Sequence, residues 1–201
     1  MRNAAALLVD SRDMGVKAAV GSADFFDAEI SGQVSALSAR RSPGSTLKPF
    51  IYGLALDQGL IHPLTVLKDS RQSFGGYTPE NFDGRFAGPV TATDALNRSR
   101  NLPAIALAAR LDNPGLHGLL KAAGISRLAA ESHYGLALVL GGAELSMEEL
   151  VQLYALLANR GELRALRAFE ADPQTPGPRL LSAEATFLAL DMLHQNPRPD
   201  A

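Results

Sequence analysis

The stretch Ser45-Thr46-Leu47-Lys48 follows a Ser42-Pro43-Gly44 turn and opens an apolar run that extends to about Gly59. The helical spacing of the apolar side chains in this run predicts a helix that begins at Ser45. A serine and a lysine three residues apart on a helix lie on one face, about 5–6 Å apart at Cβ. A serine hydroxyl becomes a nucleophile when a neighbouring base takes its proton. The tetrad therefore predicts acyl transfer through a serine ester, with Lys48 as the base.

The spacing alone is weak evidence. The chain has 14 serines and four lysines, so a serine three residues before some lysine arises by chance about one time in four. Taken by itself, the tetrad favours the ordinary interpretation, in which Ser45 is a helix N-cap and Lys48 is a solvated surface lysine. Further residues have to decide between these interpretations.

Composition limits the remaining possibilities. The chain has 201 residues with 46% hydrophobic and 20% charged residues, which predicts one globular domain with a sizeable core. A net charge of −2 indicates no general attraction to nucleic acid. Cysteine is absent and the four histidines show no metal-ligand spacing, so we expect neither a metal nor another cofactor. No apolar run approaches the roughly 20 residues of a transmembrane helix.

The order of predicted elements is two strands followed mostly by helices. Apolar runs at residues 4–9 and 16–20 predict a hairpin, and residues 21–44 and 61–90 are rich in turn residues and predict irregular segments. Capping and breaking signals predict helices after Thr91, from Pro103 to about residue 111, over 115–123, after Ser146 and over 183–195. Because two strands alone make a poor sheet, the chain is expected to lack strands that its fold normally has.

A second polar cluster, Ser99-Arg100-Asn101, lies in a tight connection between two of the predicted helices. A hydroxyl and a carboxamide two residues apart on a rigid turn suit a proton relay and an amide clamp facing one cleft. Serine and asparagine are also common in turns for backbone reasons alone. The cluster gains weight because it follows the Ser45 tetrad in an order, SxxK and then SxN, that resembles the order found in serine penicillin-recognising enzymes.

Several segments resemble class A penicillin-binding proteins, especially the type 1C branch. The nucleophile segment of that family is similar to residues 41–52, its Y-x-P-x-N loop to 77–84, its second motif to 94–104 and its L-G-x-x-E segment to 140–146. Val9-Asp10 and Val20-Gly21-Ser22 are similar to its first hairpin. The resemblance implies an α+β fold of the β-lactamase/transpeptidase type, in which residues 1–201 form a partial transpeptidase domain.

The resemblance also implies a role for each matching residue. Ser45 would be acylated and Lys48 would take its proton, although the identity of the acylation base is disputed in related enzymes. Ser99 would relay a proton to the leaving amine, and Asn101 would hold the substrate amide. Tyr77 and Asn81 would contact the substrate, and the Ser45 N–H would supply half of an oxyanion hole.

The third motif of that family, K-[ST]-G, does not occur, because no lysine of the chain is followed by Thr-Gly or Ser-Gly. We interpret this as truncation before the last sheet strands, and expect impaired acylation. The implied function is that of a peptidoglycan D,D-transpeptidase that binds D-Ala-D-Ala stem peptides and β-lactams. It would act in the periplasm in a parent protein anchored in the bacterial inner membrane. The alternatives are a D,D-carboxypeptidase, a β-lactamase, which the absence of a recognisable E-x-x-x-N segment disfavours, and a non-catalytic cell-envelope binding module.

Overall fold

A computed structural model describes residues 3–197 and begins with the expected hairpin. Strands β1 (Ala6–Asp10) and β2 (Gly15–Val20) pair antiparallel, with Leu8 opposite Ala18. Beyond the turn, Val16 donates its N–H to the Arg167 carbonyl at 2.9 Å. Because the side chain of Leu8 is 61% exposed, the hairpin contributes little apolar surface to the core.

Seven α-helices supply most of the regular structure among the described residues. They are α1 (Lys48–Asp57), α2 (Ala92–Asn97), α3 (Asn101–Ala108), α4 (Leu116–Ala122), α5 (Glu131–Tyr134), α6 (Met147–Ala158) and α7 (Ala183–His194). The predicted caps are confirmed: the hydroxyls of Thr91, Ser146 and Ser182 accept N–H bonds at the starts of α2, α6 and α7. At α6, Glu149 reciprocates by accepting the Ser146 N–H, which completes a capping box.

Helix α1 lies at the centre of the core. Every residue from Lys48 to Ala55 is buried, and the helix packs against α3 and α7. A helix that is apolar all round belongs in an interior. Its burial fixes the position of whatever its first turn carries.

The structure corrects two parts of the element prediction. The segment 61–90 is not wholly irregular, since β3 (Val66–Asp69) pairs antiparallel with β4 (Gly88–Thr91). These strands have four residues each and β4 contains Pro89, so too short a stretch of alternating residues was available to reveal them. Helix α3 begins at Asn101, earlier than expected, because Pro103 falls within its first turn and needs no N–H partner there.

The sequence also predicts no element in the region just before α6. This region contains α5 and a 3-10 helix over Gly135–Leu140, which ends at Gly141 with a left-handed φ of 90°. The hairpins β1–β2 and β3–β4 are the two sheets within residues 3–197. No helix in this part of the chain is long and apolar enough to cross a bilayer.

Candidate active site

Ser45 lies in a short 3-10 helix, Gly44–Leu47, that leads directly into α1. The turn is held by Thr46, whose hydroxyl donates to the Pro43 carbonyl at 2.7 Å. The residue that caps α1 is Leu47, and it makes no side-chain cap bond. Ser45 is exposed and is not a helix cap. This removes one of the two ordinary interpretations of the tetrad.

Lys48 is not a solvated lysine either. Its side chain is 1% exposed, and its Nζ donates to three acceptors of the second polar cluster. These are the Ser99 carbonyl at 2.5 Å, Ser99 Oγ at 3.0 Å and Asn101 Oδ1 at 2.6 Å. The structure thus brings together Lys48, Ser99 and Asn101 as the sequence predicted.

The charge of Lys48 is weakened by its surroundings. Burial, and then the positive charge of Arg100, lower the pKa of the Lys48 ammonium to about 8. Desolvation disfavours a charged amine, and a like charge nearby acts in the same direction. At neutral pH a useful fraction of Lys48 can therefore lose its proton and act as a base.

The turn between α2 and α3 presents Ser99 in an unusual conformation. Its φ is 52°, in the left-handed region that a residue other than glycine occupies at a cost of about 1–2 kcal/mol. The turn is closed by two N–H bonds, from Ser99 to the Leu96 carbonyl and from Arg100 to the Ala95 carbonyl, both at 2.9 Å. This conformation directs both the carbonyl and the hydroxyl of Ser99 toward Lys48.

A charge network that the sequence analysis did not identify fixes the same turn. Arg100 Nε donates to Asp69 Oδ2 at 2.7 Å and Nη1 to Asp83 Oδ2 at 2.9 Å, and a further bond reaches the Arg85 carbonyl. Burial opposes the ionisation of Asp69, but hydrogen bonds from Asn81, Ala87 and Arg100 outweigh it, so its pKa is lowered. Because Asp69 lies on β3, this ion pair ties the turn to the second hairpin.

Asn81 is buried, whereas Tyr77 is exposed. Asn81 is 5% exposed, donates to Asp69 Oδ1 and the Arg85 carbonyl, and accepts the Asn101 N–H at 2.7 Å. Its carboxamide is thus engaged in holding the start of α3. Tyr77 is 40% exposed, pairs through its backbone with Phe74 and is not among the residues that line the Ser45 cavity.

A close backbone approach between Gly141 and Gly44 supports the Ser45 turn. A Cβ on Gly141, whose φ is 90°, would lie 2.3 Å from the Gly44 nitrogen, so no other residue fits there without displacing the Ser45 turn. Ser42 Oγ donates to the Gly141 carbonyl at 2.7 Å. The L-G-x-x-E segment, known from the sequence only as part of a resemblance, therefore contacts the nucleophile segment directly.

These elements enclose a cavity of about 480 Å³. Its lining includes all the expected polar groups except the buried Lys48 and the outlying Tyr77. The lining residues are Gly44, Ser45, Asn81, Phe82, Asp83, Arg98, Ser99, Arg100, Asn101 and Leu140. Within residues 3–197, no group of three or more histidine and acidic side chains is arranged to hold a metal ion. The arrangement suits nucleophilic catalysis by a hydroxyl beside a buried amine.

Comparisons with known proteins agree with this geometry. The family model described as "Penicillin binding protein transpeptidase domain" matches residues 4–200. Penicillin-binding protein 1C of Escherichia coli is 39% identical over 98% of this chain, and penicillin-binding protein 1F of Bacillus subtilis is 38% identical over 72% of it. The expected resemblance to the class A proteins of the 1C branch is confirmed.

The fold is confirmed by a solved structure, the transpeptidase domain of penicillin-binding protein 3 from Burkholderia pseudomallei. It superposes with a TM-score of 0.82 over 99% of this chain at 21% identity. The chain spans 63% of that domain and 26% of the Escherichia coli protein, consistent with an incomplete transpeptidase fold. The chain belongs to the penicillin-binding protein transpeptidase domain family.

Proposed function

We propose that the chain is part of a peptidoglycan D,D-transpeptidase domain that reacts through an acyl ester on Ser45. The observation that carries the proposal is the buried Lys48, whose three hydrogen bonds join the SxxK and SxN segments into one centre. A buried amine with a pKa of about 8, three residues from an exposed serine, is suited to activate that serine.

The proposed reaction has two acyl transfers. Neutral Lys48 takes the Ser45 proton, and Oγ attacks the carbonyl of the penultimate D-alanine of a stem peptide. The C–N bond breaks, and the terminal D-alanine leaves as an amine after it receives a proton. An amine of a neighbouring strand then attacks the ester, forms the cross-link and releases Ser45. A β-lactam would acylate Ser45 in the same way, but its opened ring keeps the leaving amine attached.

The hydrogen bonds of Lys48 suggest how the proton moves. The Ser99 carbonyl and Asn101 Oδ1 can accept hydrogen bonds but cannot donate them, whereas the Ser99 hydroxyl can do both. Ser99 Oγ lies 3.0 Å from Nζ. It can therefore receive a proton from Lys48 while it gives its own to the leaving amine, which is the relay role proposed for it.

Substrate contacts are proposed for Asn101 and, by resemblance to the family, for Tyr77 and Asn81. One N–H of the Asn101 carboxamide donates to the Glu80 carbonyl at 2.7 Å, and its second N–H remains for a substrate amide. We propose stem peptides and β-lactams as ligands and the periplasmic side of the bacterial inner membrane as the location. These proposals rest on the family.

The rate of acylation is expected to be low for these 201 residues by themselves. They contain no K-[ST]-G motif, which in the family supplies the second oxyanion donor and a cation for the substrate carboxylate. Removing one oxyanion donor typically lowers a rate about 100- to 1000-fold. We therefore propose slow, Ser45-specific acylation.

Intact-mass spectrometry after incubation with a labelled penicillin tests the proposal. We expect one adduct that forms slowly, maps to Ser45 and is absent from Ser45→Ala. Ser132→Ala is the matched control, because Ser132 is also an exposed serine but lies outside the cavity lining. Rapid release of hydrolysed penicillin would indicate a β-lactamase or carboxypeptidase instead. No adduct after long incubation would favour a binding module.

A further inference from the structure

Arg40 makes a set of buried polar contacts just before the segment that carries the nucleophile. Its side chain is 15% exposed, and its guanidinium pairs with Glu149 of α6 at 3.0 Å. The same guanidinium donates to Ser126 Oγ at 2.6 Å and to the Glu144 carbonyl. Because a guanidinium carries its donors in a rigid planar fork, these bonds fix both the position and the orientation of Arg40.

The Glu149 carboxylate is held in place by other groups as well. It accepts the backbone N–H groups of Ser126 and Ser146, both at 2.8 Å, and the Ser126 hydroxyl at 2.8 Å. Burial opposes the ionisation of Glu149, but these bonds and the one from Arg40 outweigh it, so its pKa is lowered. Arg40 therefore pairs with a fixed anion at the start of α6.

Short contacts along the chain connect Arg40 to Ser45. Arg41 and Leu145 exchange two backbone hydrogen bonds, at 3.0 and 2.9 Å, in an antiparallel bridge. Ser42 Oγ then donates to the Gly141 carbonyl at 2.7 Å. The nucleophile segment thus lies beside the L-G-x-x-E segment, and the Arg40 ion pair holds the end at which this pairing begins.

Helix α6 also contacts the turn beyond Ser45. The hydroxyl of Tyr154, on the same helix as Glu149, donates to the Thr46 carbonyl at 2.8 Å. The Ser45 turn is therefore tied to α6 by an ion pair before it and by a hydrogen bond after it. Both contacts bear on the reaction, because a displacement of about 1 Å can lower a rate about 100-fold.

We propose that Arg40 is a positioning residue for acylation, whose ion pair with Glu149 holds the Ser45 turn in its reactive place beside Lys48. The inference rests on the proposed acylation of Ser45 and adds a residue that acts through the nucleophile segment. Loss of a positioning residue lowers the limiting rate of acylation and leaves the affinity for the β-lactam unchanged. Loss of a residue that only supports the fold would lower stability and leave the rate of the folded chain unchanged.

The test measures Ser45 acylation by intact mass over a range of labelled penicillin concentrations, under conditions in which urea denaturation shows each variant to be folded. We expect Arg40→Gln to lower the limiting rate constant about 10-fold and to change the half-saturating concentration less than about 2-fold. Arg40→Lys should lose only about 3-fold, because an ammonium keeps the pair with Glu149 but cannot reproduce the fork. The loss should be the same at pH 6 and pH 8, because the acceptors of Lys48 belong to the SxN turn.

Arg164→Gln is the matched control. Arg164 pairs with Glu162 at 2.9 Å, donates to the Arg12 carbonyl at 3.3 Å and is 34% exposed. Neither partner belongs to α6 or to the nucleophile segment. This variant should change neither the limiting rate constant nor the half-saturating concentration.

An Arg40→Gln rate equal to that of the wild type, or an equal loss in Arg164→Gln, would overturn the inference and leave the proposed function intact. If Arg40→Gln did not fold, Arg40→Lys would decide, since an unchanged limiting rate in that variant overturns the inference equally. A wild-type chain that forms no Ser45 adduct contradicts the proposed function and the Arg40 inference with it.

Discussion

The Lys48 ammonium is buried and hydrogen-bonded within the described residues, whereas apolar side chains of the hairpin β1–β2 remain exposed. Lys48 is 1% exposed, and three protein acceptors lie within 3.0 Å of its ammonium. The hairpin exposes Leu8 at 61% and Val20 at 51%. Beyond its own pairing, it is tied to the body near its turn, where Met14 is 2% exposed and accepts the Arg167 N–H.

The difference separates the hydrogen bonding of polar groups, which the described residues provide around Lys48, from the burial of apolar surface, which they do not provide for the hairpin. Lys48 and the SxN turn are joined by hydrogen bonds and by contacts among β3, α1, α2 and α3, all within residues 3–197. The hairpin is an apolar two-stranded ribbon, which is at best marginally stable alone. The comparison predicts large effects for substitutions in the centre and small effects for side chains on the hairpin.

Replacing Lys48 with alanine should have the largest effect. Without a base Ser45 remains protonated, and the Ser99 turn loses the donor to three of its acceptors. We expect the rate of Ser45 acylation by a labelled penicillin to fall about 1000-fold or more. Intact-mass time courses at pH 7 would measure the change.

The pH dependence of the wild-type rate is the control for this assignment. In the proposed mechanism the neutral amine of Lys48 is the reactive form. Because its pKa is about 8, the rate should rise with pH and level off above about 8. Between pH 6 and pH 8 the neutral fraction increases about 50-fold. Lys48→Arg should be as inactive as the alanine variant, because a guanidinium keeps its proton. A rate independent of pH between 6 and 8 would contradict the assignment.

Replacing Asp69 with alanine should have the largest effect on folding. The Asp69 side chain is fully buried, and it accepts bonds from Asn81, Ala87 and Arg100. Its removal leaves these donors without their partner and leaves Arg100 with the half-exposed Asp83 as its counter-charge. We expect the free energy of unfolding to fall by about 3–5 kcal/mol, as measured by urea denaturation.

The exposed ion pair between Arg71 and Glu80 provides the matched control. It has the same 2.7 Å separation, but its side chains are 70% and 53% exposed. Glu80→Gln should therefore change the free energy of unfolding by less than about 1 kcal/mol. Equal effects of the two substitutions would mean that the buried network contributes no more than a surface pair.

The sequence was informative about the centre because its determinants are local. The Ser45–Lys48 spacing, the Ser99–Asn101 spacing and the caps at Thr91, Ser146 and Ser182 each depend on a few neighbouring residues. The structure confirmed that Lys48 meets Ser99 and Asn101. The 3-10 start at Gly44–Leu47 was a small departure, since a tight turn and the first turn of an α-helix use the same residues.

The contacts that hold the Lys48 centre in place could not be predicted from neighbouring residues in the sequence. The partner of Arg100 is Asp69, which is 31 positions away in the sequence, and charge alone does not identify a partner among 21 acidic residues. The contact of Gly141 with Gly44 also depends on tertiary packing. Strands β3 and β4 were missed because four-residue strands bounded by glycine and proline show no clear alternation.

Replacing Leu8 with alanine should have the smallest effect and tests the other half of the comparison. A core leucine such as Leu47, which is 0% exposed, should cost about 2–5 kcal/mol of unfolding free energy when replaced by alanine. Leu8, at 61% exposure, should cost less than about 0.5 kcal/mol, because most of its side chain is already in water. Urea denaturation of both variants would measure the contrast. If Leu8→Ala destabilised the chain as much as Leu47→Ala, the hairpin face would be buried against another surface, and the contrast between a buried Lys48 centre and an exposed hairpin would fail.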